Sequence, residues 1–91
     1  MNITIRAFAR FREDFGERNE LTVEEAATLP AALRELVARK GHADTLFEED
    51  GGIKDFVLVM VGGRRLTPEE RAECVLAEGD EVVIYPPVSG G

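Results

Sequence analysis

The sequence predicts an α+β domain in which a mixed sheet packs on one main helix. Near the N-terminus, Ile3, Ile5 and Ala7 alternate with polar residues, which is the period of a half-buried strand. Apolar residues recur at helical spacing from Leu29 to Lys40, and the β-branched run 56–61 is too short to be a helix. With 91 residues, the chain is long enough for one domain and not for two.

The first half of the chain predicts a strand, a helical turn, a second strand and the main helix. Three phenylalanines between residues 8 and 15 recur at helical spacing, which is more typical of core anchors than of a binding site. Leu21 and Val23 alternate with polar residues and predict the second strand. Thr28 is the expected N-cap of the main helix, and Gly41 is its expected C-cap. One apolar stripe of this helix is expected to face the core: Leu29, Ala32, Leu33, Leu36 and Val37.

Strands and a short helix are expected in the second half. Residues 42–55 are predicted to be a connection, and 56–61 a central strand that is apolar on both faces. A Gly-Gly hairpin turn follows, and 67–73 has the pattern of a capping box with proline at the first helical position. Residues 74–76 are expected to return the chain to the core, and 81–85 to form the last strand.

This order of elements predicts the β-grasp, or ubiquitin-like, arrangement. Its first and last strands lie side by side and parallel at the centre of the sheet. We therefore assign residues 1–85 to the β-grasp domain and residues 86–91 to an extended, flexible C-terminal tail. The boundary follows from Pro86 and Pro87, because proline lacks the N–H group that pairing requires.

Charge and cysteine content restrict the classes of partner and compartment. The net charge of -7 argues against nucleic acid and anionic membranes and favours a partner with a basic surface, although acidity also simply keeps a small protein in solution. One cysteine, Cys74, excludes an intrachain disulfide and suits a reducing cytoplasm, where we expect the protein to reside. One histidine, His42, and the lack of Cys/His ligand spacing argue against a zinc cluster, so no metal site is expected. No bound cofactor is expected either. No signal peptide or membrane span is predicted.

The C-terminal residues have properties that suit a reaction at the terminal carboxylate inside another protein. Six residues after Tyr85 reach roughly 20 Å at about 3.3 Å each, and two glycines without Cβ atoms pass through a channel too narrow for a side chain. The Gly91 carboxylate is a poor electrophile, so ATP-dependent adenylation would be needed before a sulfur nucleophile could displace AMP. The alternative is that a terminal Gly-Gly is only a frayed end.

Three segments resemble the molybdopterin synthase small subunit (MoaD) family of sulfur carriers. They are Phe8–Glu13 with Gly16, Gly79–Val82, and the ending Tyr85–Gly91. The ending, Tyr-Pro-Pro-Val-Ser-Gly-Gly, is the most specific of the three. The resemblance extends over essentially the whole chain, although residues 64–77 depart from the family pattern.

The resemblance implies a mechanism and a set of partners. A ubiquitin-activating-type adenylyltransferase, using ATP and magnesium, would adenylate Gly91, and a sulfur donor would convert the adenylate to a thiocarboxylate. The tail, Pro86, Pro87, Val88, Ser89 and Gly90, would then insert into the large subunit of molybdopterin synthase within a heterotetramer. There Gly91 would give sulfur to cyclic pyranopterin monophosphate in molybdenum or tungsten cofactor synthesis. The large subunit would supply the catalytic side chains, so this chain is not expected to be an enzyme alone.

One face of the predicted strand 56–61 must meet the main helix, which leaves the other face either buried or available for docking. The candidate docking patch consists of Val57, Val59, Val61, Val83 and Tyr85. Three further functions compete with the sulfur carrier for molybdopterin. These are a ubiquitin-like modifier joined to target lysines through Gly91, a sulfur carrier for thiamine thiazole synthesis, and an interaction domain with an inert tail.

Overall fold

Five strands form one mixed sheet in the computed structural model, which describes residues 1–87. The strands are β1 (Asn2–Ala7), β2 (Arg18–Thr22), β3 (Leu58–Val61), β4 (Arg64–Arg65) and β5 (Glu81–Tyr85). Their order across the sheet is β2-β1-β5-β3-β4. The β1–β5 pair is parallel and the other three pairs are antiparallel, which confirms the ubiquitin-like β-grasp fold.

Four helices lie in the described part of the chain: α1 (Arg10–Phe15), α2 (Leu29–Lys40), α3 (Ala43–Leu46) and α4 (Pro68–Glu73). The limits of α2 are those that the sequence predicts. Its N-cap, Thr28, accepts a hydrogen bond from the Ala31 N–H at 3.3 Å, and Gly41 ends it with a φ of +82°. The capping box of α4 is also confirmed, since Thr67 and Glu70 each accept the other's backbone N–H.

The core lies between α2 and one face of the sheet. Alternate residues of β1 and β5 point into it, and Phe11 and Phe15 of α1 close one end. The fully buried side chains of α2 are Leu29, Ala32, Leu33 and Leu36, and those of the sheet include Ile5, Val59, Val82 and Ile84. Burying a leucine or isoleucine side chain contributes about 1.5–3 kcal/mol, so this layer supplies most of the stability.

Three sequence-based predictions are corrected. The strand predicted over 56–61 begins at Leu58, because the preceding residues form a turn in which Phe56 is exposed. The predicted connection contains a short helix, α3, that buries Leu46. The segment 74–76 returns Leu76 to the core, but Val75 is 58 % exposed because the chain is extended there and alternate side chains face opposite ways.

A buried arginine positions the turn before β3. Arg71 of α4 is 4 % exposed, and its Nη1 donates to the backbone oxygens of Lys54 and Val57. The two carbonyl groups accept hydrogen bonds from one of the guanidinium nitrogens. The Nε has no hydrogen-bond partner in residues 1–87. The side chain thus ties α4 to the turn at residues 54–57.

Leu33→Ala is expected to lower the free energy of unfolding by about 2–5 kcal/mol, because it opens a cavity under the sheet. Urea denaturation followed by circular dichroism measures this loss. The matched control is Val75→Ala, which removes an exposed side chain and should change stability by less than about 0.5 kcal/mol. Similar losses in both variants would contradict the assignment of the core.

Candidate functional site

The C-terminal segment leaves the domain from the middle of the sheet. β5 ends at Tyr85, which is paired with Leu58 of β3, and Pro86 and Pro87 follow outside any strand. Pro86 is half-buried and Pro87 is exposed. Pro86 therefore begins between β1 and β3, at the end of the sheet where the pairing of β5 with these two strands stops. The predicted reactive residue Gly91 and the predicted tail residues Val88, Ser89 and Gly90 lie outside the described residues.

The sheet face opposite α2 presents an apolar patch. Leu58 and Met60 of β3 lie directly beside Tyr85 and Val83 of β5, and all four side chains are half-buried. Their neighbours along each strand, such as Val59 and Ile84, point into the core. We call Leu58, Met60, Val83 and Tyr85 the outer patch.

The outer patch differs from the docking patch that the sequence predicts. Val57 and Val59 have no exposed surface, and the half-buried Val61 packs against the core. Only Val83 and Tyr85 of the predicted set lie on the outer face. The error has a simple cause: a run that is apolar on both faces shows no alternation, and a shift of one residue exchanges the faces.

Arginines lie on two sides of the outer patch. Arg6 of β1 is paired with Val83, and Arg65 of β4 is paired with Met60. The Arg6 guanidinium lies 5.1 Å from the centroid of the Phe8 ring, and its Nη1 is 3.9 Å from a Glu81 carboxylate oxygen. An apolar centre with a charged rim is typical of a surface that binds another protein.

Cys74 and His42 are the one thiol and the one imidazole of this chain. Burial raises the pKa of the Cys74 thiol, the carboxylates of Asp80 and Glu70 raise it further, and Arg64 opposes them. A raised pKa makes the thiol less reactive, because the thiolate is the nucleophile. His42 is exposed beside Asp14, and no group of three His, Cys, Asp or Glu side chains in this range could hold a metal ion.

The described helices include none that is long and apolar enough to cross a membrane. The described domain is small and compact, with a radius of gyration of 12.1 Å.

The fold and the central position of the last strand define a ubiquitin-like β-grasp protein. Residues 5–91 match the ThiS family, and the chain belongs to that family. In sequence it is similar to small archaeal modifier protein 3 of Haloferax volcanii, with 35 % identity over 92 residues that cover 100 % of both chains.

Two solved structures show the same fold over nearly the whole length. SAMP1 from Haloferax volcanii has a TM-score of 0.87 at 29 % identity, with 100 % of both chains covered. A proposed molybdopterin converting factor, subunit 1, from Pyrococcus furiosus has a TM-score of 0.73 at 27 % identity, with 96 % of this chain and 98 % of that chain covered.

Cys74 is expected to react with iodoacetamide more slowly in the folded chain than in the urea-unfolded chain at pH 8. The raised pKa leaves less thiolate in the folded state, and the difference should shrink as the pH rises through the folded pKa. Because the pKa of Cys74 is raised in the folded chain, its contribution to stability is fully present below its ordinary pKa and decreases as the pH rises through the folded pKa. Alkylation followed by mass spectrometry measures the rates; equal rates would contradict the raised pKa of this half-buried thiol.

Proposed function

We propose that this chain is a sulfur carrier whose terminal Gly91 is adenylated, converted to a thiocarboxylate, and used to build molybdopterin. The observation that supports this most is the position of the Tyr-Pro-Pro-Val-Ser-Gly-Gly ending. It follows the central strand of a ubiquitin-like fold, so the carboxylate is connected to a rigid domain that a partner can hold.

The chemistry needs no catalytic side chain from this domain. The Gly91 carboxylate attacks the α-phosphorus of ATP, forms an acyl adenylate and releases pyrophosphate. A persulfide or sulfide donor then attacks the acyl carbon and displaces AMP, and reductive cleavage by a thiol frees the thiocarboxylate where the donor is a persulfide. The raised pKa of the Cys74 thiol is consistent with this proposal, because it leaves less thiolate to compete for the acyl adenylate.

The proposal requires at least two protein partners. A ubiquitin-activating-type adenylyltransferase would use ATP and magnesium, and the large subunit of molybdopterin synthase would accept the tail, Pro86 to Gly90, in a heterotetramer. The similarity to a proposed molybdopterin converting factor subunit supports a role in molybdopterin synthesis. All of these steps are proposed to occur in the cytoplasm, where ATP and reduced thiols are available.

Conjugation to proteins is the second candidate function. It is supported by the 35 % identity to small archaeal modifier protein 3 over the full length of both chains. The two functions share the acyl adenylate and differ in the group that attacks it next. A sulfur nucleophile leads to the thiocarboxylate, whereas a target lysine amine, after transfer, gives an isopeptide bond to Gly91.

The outer patch is the proposed docking surface for these enzymes. It lies on the same two strands that position the end of β5, so contacts with it would aim the following residues in a fixed direction. Three of its side chains are aliphatic or thioether groups and the fourth is Tyr85, a composition that suits the apolar core of an interface.

Incubation with a matching activating enzyme, ATP, magnesium and a sulfur source is expected to replace one oxygen of the chain by sulfur. Intact-mass spectrometry measures the change, and a chain that lacks Gly91 should show none. If the full chain gains no sulfur with a competent enzyme, the sulfur-carrier function is wrong. In cell extracts, peptides joined to Gly91 through lysine would establish the modifier function, with or without the thiocarboxylate.

Val83→Glu is expected to weaken binding to the activating enzyme about tenfold or more, because it places a charged side chain within the apolar surface that the interface would bury. Isothermal titration with the purified enzyme measures the dissociation constant. Val75→Glu is the matched control, since it makes the same replacement at an exposed residue on a different segment. Equal affinities for the two variants would exclude the outer patch from the interface.

A further inference from the structure

Two cations contact one exposed aromatic ring in the turn before β3. The Arg10 guanidinium lies 5.4 Å from the centroid of the Phe56 ring, and the Lys54 Nζ lies 5.6 Å from the same centroid. Phe56 is 37 % exposed. We call Arg10, Lys54 and Phe56 the Phe56 cluster.

The topology brings the Phe56 cluster to the end of the sheet from which the C-terminal segment leaves. β3 is antiparallel to β5, so the residues just before Leu58 lie at the same end as those just after Tyr85. β1 is parallel to β5, so Arg10, which follows β1, also lies at that end. Phe56 and Arg10 thus approach the start of the tail from its two neighbouring strands.

Neither cation of the Phe56 cluster forms an ion pair within residues 1–87. Among residues 1–87, the ion pairs with nitrogen and oxygen atoms within 4.0 Å involve Arg6, Arg18, Arg39, His42 and Arg64 but neither Arg10 nor Lys54. The nearest carboxylate in sequence, Asp55, is exposed. The Phe56 cluster therefore places two positive charges beside one exposed ring in a chain of net charge -7.

Backbone and ring contacts hold the cluster in place. The Lys54 N–H donates to the Leu46 oxygen at 2.8 Å, and its carbonyl accepts from the buried Arg71. Arg10 also lies 5.8 Å from the centroid of the buried Phe11 ring. Cations held over aromatic rings lose less conformational entropy on binding than freely rotating side chains do.

We propose that the Phe56 cluster docks on an acidic protein surface that surrounds the tail-accepting channel of the activating enzyme. This proposal rests on the proposed function, because it requires that Gly91 enter such a channel. The acidic side chains need to lie only around the channel, because the net charge of -7 favours a partner surface that is basic elsewhere. The cluster therefore orients the approach of the tail.

The number of cations favours a protein over a nucleic acid. Affinity for nucleic acid grows with the number of neutralised phosphates and uses stripes of many Lys and Arg side chains. The two cations of the cluster supply little of that affinity. They are sufficient for one or two charge pairs at the rim of a protein interface, where such pairs control orientation and the rate of association.

The test compares two charge-reversed double variants of the full-length chain. One is Arg10→Glu/Lys54→Glu, and the control, Arg39→Glu/Lys40→Glu, makes the same change of net charge at the end of α2. Thiocarboxylate formation is followed by intact mass with increasing carrier concentration. We expect the first variant to raise KM about 3- to 10-fold at low salt with kcat unchanged, and the control to change KM less than about 2-fold.

A salt series and a charge-conserving variant test whether the change in KM is electrostatic. The increase in KM should decline at 0.5 M salt or above, where exposed charges are screened beyond roughly 4 Å. Arg10→Lys/Lys54→Arg keeps both charges and should have the KM of the wild type. Circular dichroism and urea denaturation confirm that each variant is folded.

The outcomes separate the two proposals. If the wild-type chain gains sulfur and both charge-reversed variants have equal KM values, the docking role of the Phe56 cluster is wrong and the carrier function remains. If RNA added to the assay competes with the wild type but not with Arg10→Glu/Lys54→Glu, the cluster binds nucleic acid and the proposal is also wrong. A wild-type chain that gains no sulfur contradicts the carrier function and the docking proposal together.

Discussion

The parallel pairing of β1 with β5 is the constraint on which the other features depend. It joins residues 4–7 to residues 81–84, so that the two ends of the chain form the centre of one sheet. The Phe8 N–H continues the pairing by donating to the Ile84 oxygen at 3.1 Å. Because β5 is held on both sides, the residues after Tyr85 begin at a fixed point of a rigid body.

The packing of α2 against one face of the sheet gives the two faces different roles. One face is buried in the core. The other face carries the half-buried outer patch, which lies between Arg6 of β1 and Arg65 of β4. The described domain thus presents an apolar surface on the same two strands that lead to the C-terminal segment. The proposed function is consistent with this arrangement, since each enzyme of the proposal could bind the same surface and supply its own chemistry.

Local sequence signals were sufficient for some elements and insufficient for others. The limits of α2 follow from its cap at Thr28, its apolar stripe and Gly41, all of which act within the helix itself. By contrast, nothing within the run 56–61 distinguishes its two faces, and the docking patch was therefore assigned to Val57 and Val59, which are buried. Arg71 was missed because a buried arginine is rare, and its acceptors, the carbonyls of Lys54 and Val57, belong to a distant turn.

The sequence by itself determined the β-grasp fold, the main helix and the glycine ending, because periodicity, caps and the terminal residues are local properties of the chain. Only the tertiary structure decided which side of β3 faces outward and where Arg10, Lys54 and Phe56 meet. These features arise from pairing between strands that are far apart in sequence. The register of β3 against β5 sets the outer patch, and the common direction of β1 and β5 brings Arg10 to the end of the sheet where the tail begins.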